Sequence, residues 1–70
     1  MRALMKKTDG SLCCMELTKA GYDAESSELT LENMEEVVVI SNITPENANS
    51  AIYNLYNTGA ADLTDYQADC

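Results

Sequence analysis

The sequence predicts a small α+β domain in which one helix packs on a face of an antiparallel or mixed sheet of four to five strands, in the order ββββαβ. Three patterns predict it: helical spacing of apolar side chains in residues 45–57, period-two alternation in residues 28–32, and an Asp-Gly pair between two apolar runs. A chain of 70 residues has room for one core, so we expect a single domain over residues 1–70.

A β-hairpin is predicted at the start of the chain. Residues 3–7 and 12–18 are apolar runs, and the Asp-Gly pair between them favours the positive φ angles of a tight hairpin turn. Neighbouring side chains of a strand point to opposite faces. We therefore expect Cys13, Met15 and Leu17 to share the face that packs into the core.

The middle of the chain is predicted to contain a loop and two strands. Residues 19–27 are rich in small and polar types, which is typical of a loop. Leu29 and Leu31 alternate with polar side chains, so they are expected to face inward from a strand over residues 28–32. Residues 36–41 contain four consecutive β-branched side chains, which favours a central strand buried on both faces.

The helix has clear signals at both ends. Thr44 is a suitable N-cap, Pro45 suits the first helical position, and Gly59 favours the left-handed stop. The apolar positions that recur at helical spacing are Ala48, Ala51, Ile52, Leu55 and Tyr56. The tail, residues 60–70, fits either a strand by its alternation or a helix by the spacing of its aspartates, and we favour the strand.

The charge distribution limits the classes of partner. The net charge is −8, and all the basic residues lie within the first nineteen positions. Phosphate and anionic lipid surfaces require cationic side chains, so direct nucleic-acid binding and membrane binding are not expected. No apolar run approaches the roughly 20 residues that span a bilayer. The N-terminal segment does not fit a secretory signal, and we expect a cytoplasmic protein.

The composition offers little for catalysis. There is no histidine, and Cys13, Cys14 and Cys70 lack the spacing of metal ligands, so we expect reduced thiols. The oxygen-rich residues 62–69 match no EF-hand loop. The sequence therefore predicts no catalytic residue, no cofactor and no metal site, and a protein that is not an enzyme.

Two surfaces are predicted to meet a partner. The outward face of the helix is uncharged and rich in Asn, a poor helix former, at Asn47, Ser50, Tyr53, Asn54 and Asn57. The alternative interpretation is that this polar face is exposed to solvent and binds no partner. The second is an acidic face for Lys and Arg side chains, formed by Glu28, Glu32, Glu35, Glu36, Asp62 and Asp65. Its alternative interpretation is solubility alone.

The functional prediction is a small acidic, non-catalytic protein-interaction module that self-associates, as a homodimer or another homo-oligomer. A domain of this size gains stability by pairing, and an open sheet leaves edges that attract a second copy. The alternative is an acidic inhibitor or nucleic-acid mimic that binds the basic cleft of a partner protein.

Overall fold

The computed structural model describes residues 1–68, so Asp69 and Cys70, which belong to the predicted tail, lie outside the described residues. The elements are β1 (Arg2–Lys6), β2 (Leu12–Glu16), β3 (Lys19–Asp23), β4 (Glu28–Glu32), β5 (Val37–Ile40), α1 (Pro45–Asn57) and β6 (Ala60–Gln67). The α+β class and the single helix packed on sheet are confirmed for this part of the chain. The strands are more numerous than predicted and are arranged differently.

The strands form two three-stranded sheets instead of the single sheet predicted. The first has the order β2-β1-β6, with β1 antiparallel to β2 and parallel to β6. The second is antiparallel, with the order β3-β4-β5. The chain changes sheets at two consecutive amides: Leu17 N–H donates to the Met1 carbonyl and Thr18 N–H to the Glu32 carbonyl. Because these bonds reach different sheets, one continuous sheet does not form.

The predicted hairpin is confirmed. Lys7 N–H donates to the Ser11 carbonyl over 2.8 Å, and Gly10 has a φ of 90° in the turn. The Asp9 carboxylate accepts hydrogen bonds from both the amide and the hydroxyl of Ser11. This local bonding closes the turn and sets the β1–β2 register.

The prediction of a loop over residues 19–27 is wrong for its first half, which forms β3. Its register places Ala20 opposite Leu31 and Tyr22 opposite Leu29. Ala20 and Tyr22 are half-buried against the core, and the Tyr22 hydroxyl donates to the Ile43 carbonyl over 2.8 Å. The inward alternation was hidden because only two side chains carry it and Gly21 separates them.

The prediction that residues 36–41 form a central strand buried on both faces is also wrong. The central strand of that sheet is β4, and β5 is an edge strand. Val38 and Ile40 are buried, whereas the side chains of Val37 and Val39 are exposed. A run of β-branched residues fits a strand that is buried on one face as well as a strand that is buried on both. The composition of the run therefore does not reveal that one face is exposed.

The helix is confirmed over residues 45–57. Thr44 caps it by accepting a hydrogen bond from Asn47 N–H, and Gly59 follows it with a φ of 83°. Its buried side chains are Ala48, Ala51 and Leu55. Tyr56 is an exception to the predicted apolar face, because it is exposed and its hydroxyl lies 3.4 Å from Ala20 N. Of the two alternatives for the tail, the strand is observed over residues 60–67.

One hydrophobic core joins both sheets and the helix. Its most fully buried large side chains are Met5, Leu29, Leu31, Ile40, Ile43 and Leu55. Met15 and Leu17 are buried as predicted, and Cys13 packs against the same cluster. Cys13 is disulfide-bonded, whereas Cys14 is free and exposed. The prediction of reduced thiols is therefore wrong for Cys13.

Candidate functional site

The parallel pairing of β1 with β6 places β6 beside the helix. The register runs from Ala3 opposite Ala61 to Met5 opposite Leu63, and then shifts so that Lys6 lies opposite Gln67. Residues 64–66 are therefore left out of the ladder, as in a β-bulge. Bulges redirect side chains at the edge of a sheet, and this one lies on β6, the strand against which α1 packs.

A groove of about 150 Å³ lies between the polar side of α1 and β6. It is larger than the roughly 30 Å³ that one water takes in the liquid. It is much smaller than the roughly 300–1,000 Å³ of a small-molecule pocket. Its size therefore suits a single side chain. The lining residues are Asn47, Ser50, Ala51, Asn54, Ala61, Asp62, Leu63, Asp65 and Tyr66.

Two sets of hydrogen bonds hold the polar residues of the groove in place. The Asn47 side-chain amide donates to the Tyr66 hydroxyl over 2.8 Å, which ties the helix to the bulge. On the strand, Asp62 Oδ1 accepts from Thr64 N–H at 3.0 Å and from the Thr64 hydroxyl at 2.8 Å. The orientation of Asp62 is therefore fixed by its own strand.

The negative charge of the groove is not neutralised by the protein itself. The two ion pairs found within residues 1–68 join Arg2 to Glu16 and Lys19 to Glu32, both at 3.7 Å. Neither involves Asp62 or Asp65. The hydrogen bonds from Thr64 lower the pKa of Asp62 below its ordinary value of 3.8. Asp62 is thus ionised throughout the neutral and mildly acidic range.

We expect Thr64→Val to raise the pKa of Asp62 towards its ordinary value, because the variant removes the hydroxyl donor and keeps only the amide. A carboxyl with a depressed folded pKa stabilises the fold above its unfolded pKa, and this contribution is lost as pH falls through the folded pKa. The variant therefore lacks part of this contribution at neutral pH, and its difference in stability from the natural sequence should disappear as pH falls through the folded pKa. The measurement is the pH titration of the Asp62 carboxyl carbon by NMR.

Asp9 provides the matched control for this titration. Its pKa is lowered by the same arrangement, with side-chain and backbone hydrogen bonds from Ser11. In Thr64→Val the pKa of Asp9 should stay unchanged, and Ser11→Ala should raise the pKa of Asp9 alone. An unchanged pKa of Asp62 in Thr64→Val would show that the hydroxyl does not stabilise the carboxylate.

The structure brings together part of each predicted surface. From the helix face, Asn47, Ser50 and Asn54 line the groove, and from the acidic face, Asp62 and Asp65 do. Tyr53 and Asn57 are exposed outside the lining, where the Asn57 amide donates to the Tyr53 carbonyl.

The remaining residues of the predicted acidic face lie on the second sheet. Glu28 and Glu32 are on β4, and Glu32 pairs with Lys19. Glu35 and Glu36 lie in the turn before β5, where both amides donate to Asn33 Oδ1. The acidic residues are therefore divided between the two sheets.

A second unusual surface is the open edge of β5. Val37 and Val39 expose 60% and 43% of their surface, although both are β-branched and apolar. The edge of β3, on the opposite side of the sheet, is covered because the Tyr56 hydroxyl contacts both the amide and the carbonyl of Ala20. Within residues 1–68 no comparable side chain bonds to the outer edge of β5.

Sequence reasoning missed Thr64, which bonds Asp62, and it missed Tyr66 in the groove and the exposed valines of β5. The pattern Asp62-x-Thr64 repeats the pattern Asp9-x-Ser11 of the hairpin, and it is a detectable signal for a side chain that bonds two residues ahead. Tyr66 had no signal of its own, because its link to Asn47 depends on the packing of α1 on β6.

Other kinds of site receive no support from residues 1–68. No group of three or more His, Cys, Asp or Glu side chains there is placed to hold a metal ion. The helix in that part of the chain is too short and too polar to cross a membrane. The cytoplasmic location stays a prediction.

In comparisons with known proteins, no family model, no curated protein and no solved structure matches this chain.

Proposed function

We propose that the protein is a non-catalytic interaction module, and that the groove between α1 and β6 receives a basic side chain of a partner protein. The observation that carries the proposal is the convergence of two aspartates with the asparagine-rich helix face in one groove. This convergence joins an anionic lining to hydrogen-bonding groups in a space suited to one side chain.

The chemistry of the lining favours arginine. A guanidinium group has several N–H donors in one plane and pairs with carboxylate and amide oxygens. Asp62 and Asp65 supply negative charge, and Asn54 and Ser50 supply oxygen acceptors. The floor contains Ala51 and Leu63, which suit the apolar stem of a long basic side chain.

The overall charge supports the same kind of partner. With a net charge of −8, the protein attracts basic surfaces and repels acidic ones over about a Debye length. An inhibitor that occupies the basic cleft of another protein is one form of this function. The nucleic-acid mimic remains a prediction, and the pairing of Glu32 with Lys19 interrupts the row of carboxylates on β4 that it would use.

The experiment is an NMR titration with a short arginine-containing peptide. We expect weak binding, in about the millimolar range, with amide shifts at Asn47, Ser50 and Asn54. The same peptide with citrulline in place of arginine keeps the shape and loses the charge, so it should bind at least about fivefold more weakly. Raising the salt concentration should weaken the arginine complex.

The double variant Asp62→Asn with Asp65→Asn should weaken peptide binding by about fivefold, since exposed ion pairs contribute roughly 0.2–1 kcal/mol each. Asn retains the Oδ1 acceptor that Thr64 bonds. Asp9→Asn removes one charge from the hairpin turn and should leave binding nearly unchanged. Equal binding of the citrulline peptide, or shifts confined to other surfaces, would exclude the groove.

Self-association is the second function we propose, and a different surface favours it. The open edge of β5 has exposed apolar side chains and no charge of its own. It is independent of the groove, because it belongs to the other sheet.

A further inference from the structure

We infer that two copies of the protein pair through β5, edge to edge and antiparallel, with the twofold axis at Val39. The inference gives the self-association a defined interface and register. It starts from the direction of the main-chain groups along β5.

The hydrogen bonds of the β4–β5 hairpin fix which residues of β5 point outward. Asn33 N–H donates to the Glu36 carbonyl, so these two form a hydrogen-bonded pair. Bonded and non-bonded pairs alternate along an antiparallel ladder. The register Glu32 to Val37 and Leu31 to Val38 then makes Val38 and Ile40 the bonded residues. The N–H and C=O groups of Val37 and Val39 point away from β4.

The outward N–H and C=O groups of Val37 and Val39 limit the registers that a dimer can have. Two outward residues must face each other to exchange both main-chain hydrogen bonds. With the axis at Val39, each Val39 bonds to Val39 of the second copy, and Val37 bonds to Ser41. The side chains of the two Val39 residues then lie next to each other on the outer face of a continuous six-stranded sheet.

Charge favours the axis at Val39 over an axis at Val37 or at Val38, the two other registers that pair the outward residues of β5 with each other. An axis at Val37 would place Glu35 opposite Val39, and an axis at Val38 would place Glu36 opposite Ile40, so both bring the acidic residues before β5 closer to the second copy. With the axis at Val39, Glu36 lies beyond Ile40, the last residue of the facing strand. Since each copy carries a net charge of −8, the uncharged strand is where two copies can approach with the least repulsion.

The occupant is therefore a second copy of the chain, not a basic partner. An uncharged valine strand has nothing to select cationic side chains, whereas it is complementary to itself. Within each copy, Val39 lies beside Thr30 of β4. Across the twofold axis it would lie beside Val39 of the second copy, so the outer faces of the two sheets would form one surface. Pairing covers the exposed edge that otherwise attracts unrelated strands.

The test is the molar mass by light scattering from about 10 µM to about 1 mM, for the natural sequence and for Val39→Lys. The natural chain should move from monomer to dimer. Val39→Lys places two ammonium groups side by side at the axis and should weaken the dimer at least about tenfold. It also lowers the net negative charge, so general repulsion would change the dimer in the opposite direction.

Two matched variants separate this effect from other causes. Val39→Thr keeps a β-branched side chain without charge and should still dimerise. Leu12→Lys places the same charge at another exposed apolar residue, on the edge strand β2, and should also dimerise. A natural chain that stays monomeric at the highest concentration, or a Val39→Lys variant that dimerises normally, would overturn the proposal.

Amide hydrogen exchange gives a readout that needs no variant. The amides of Val38 and Ile40 should be protected at every concentration, because β4 accepts their hydrogen bonds. The amide of Val39 should exchange fast in dilute solution and at least about tenfold more slowly where the dimer forms. Slowing at the groove instead of at Val39 would locate the contact elsewhere.

The groove proposal and the dimer proposal fail separately. The Asp62→Asn and Asp65→Asn double variant should dimerise normally, and Val39→Lys should bind the arginine peptide normally. High salt should maintain or strengthen the dimer by screening the two like-charged copies, whereas it should weaken the peptide complex.

Discussion

Leu31→Ala is expected to lower the free energy of unfolding by about 2–5 kcal/mol, the range for removing a buried leucine side chain. Leu31 is fully buried on the central strand β4, between Ala20 of β3 and Val38 of β5. Its side chain lies in the single core that joins both sheets to the helix.

The size of the protein makes this loss decisive. A core in a domain of this length supplies only about 3–5 kcal/mol of net stability. A substantial fraction of Leu31→Ala should therefore be unfolded at 25 °C without denaturant. The measurement is the far-UV circular dichroism signal followed through a urea titration.

Two variants keep this experiment interpretable. Leu12 is 58% exposed at the end of β2, so Leu12→Ala should change the stability by less than about 0.5 kcal/mol. Leu31→Met conserves most of the volume and should cost less than about 1.5 kcal/mol, which leaves a complete transition to measure. If Leu31→Ala were as stable as Leu12→Ala, β4 would not lie at the centre of the core.

The parts of the fold that were predictable are those fixed by neighbours in sequence. Thr44, Pro45 and Gly59 determine the ends of the helix through bonds and φ angles within a few residues. The Asp9-Gly10 turn closes a hairpin whose two strands are adjacent in the chain. Local chemistry is sufficient at these places, so the sequence pattern and the structure agree.

The parts that were not predictable depend on contacts between distant residues. The parallel pairing of β1 with β6 joins the two ends of the described chain, and no local pattern gives its register. The same pairing brings Asp62 and Asp65 beside the helix face. The composition therefore indicated both linings of the groove but assigned them to separate surfaces, because only the topology joins them.

The edge position of β5 shows a different limit. Hydrophobic alternation reveals a strand face only where polar residues mark the outside, and residues 37–40 contain none. The tertiary structure decides the matter, because β4 has neighbours on both sides and β5 has one. This exposed face is what makes β5 available to a second copy.

Val38→Lys and Val39→Lys are expected to have very different effects on folding, although the two residues are adjacent. Val38 exposes 3% of its surface and faces the core, so a lysine there must bury its amine without a partner. The cost of several kcal/mol exceeds the net stability of such a domain. Val38→Lys should be unfolded, with no cooperative transition in urea.

Val39→Lys, one position later, should remain folded, because its side chain points to solvent from the outer face of the sheet. Its stability should stay within about 0.5 kcal/mol of the natural chain, measured in dilute solution where the protein is monomeric. Replacing each valine by threonine, which has nearly the same shape, tests the same difference with a smaller change. Val38→Thr should lose about 1–3 kcal/mol for its unsatisfied hydroxyl, and Val39→Thr almost nothing.

The comparison decides between two arrangements of the same four residues. A central strand buried on both faces, as composition suggests, would make both lysine variants unfold. An edge strand with one exposed face makes only Val38→Lys unfold, and leaves Val39→Lys as a folded monomer for the association experiment. If both lysine variants fold with similar stability, Val38 does not pack in the core and the register of β5 against β4 is incorrect.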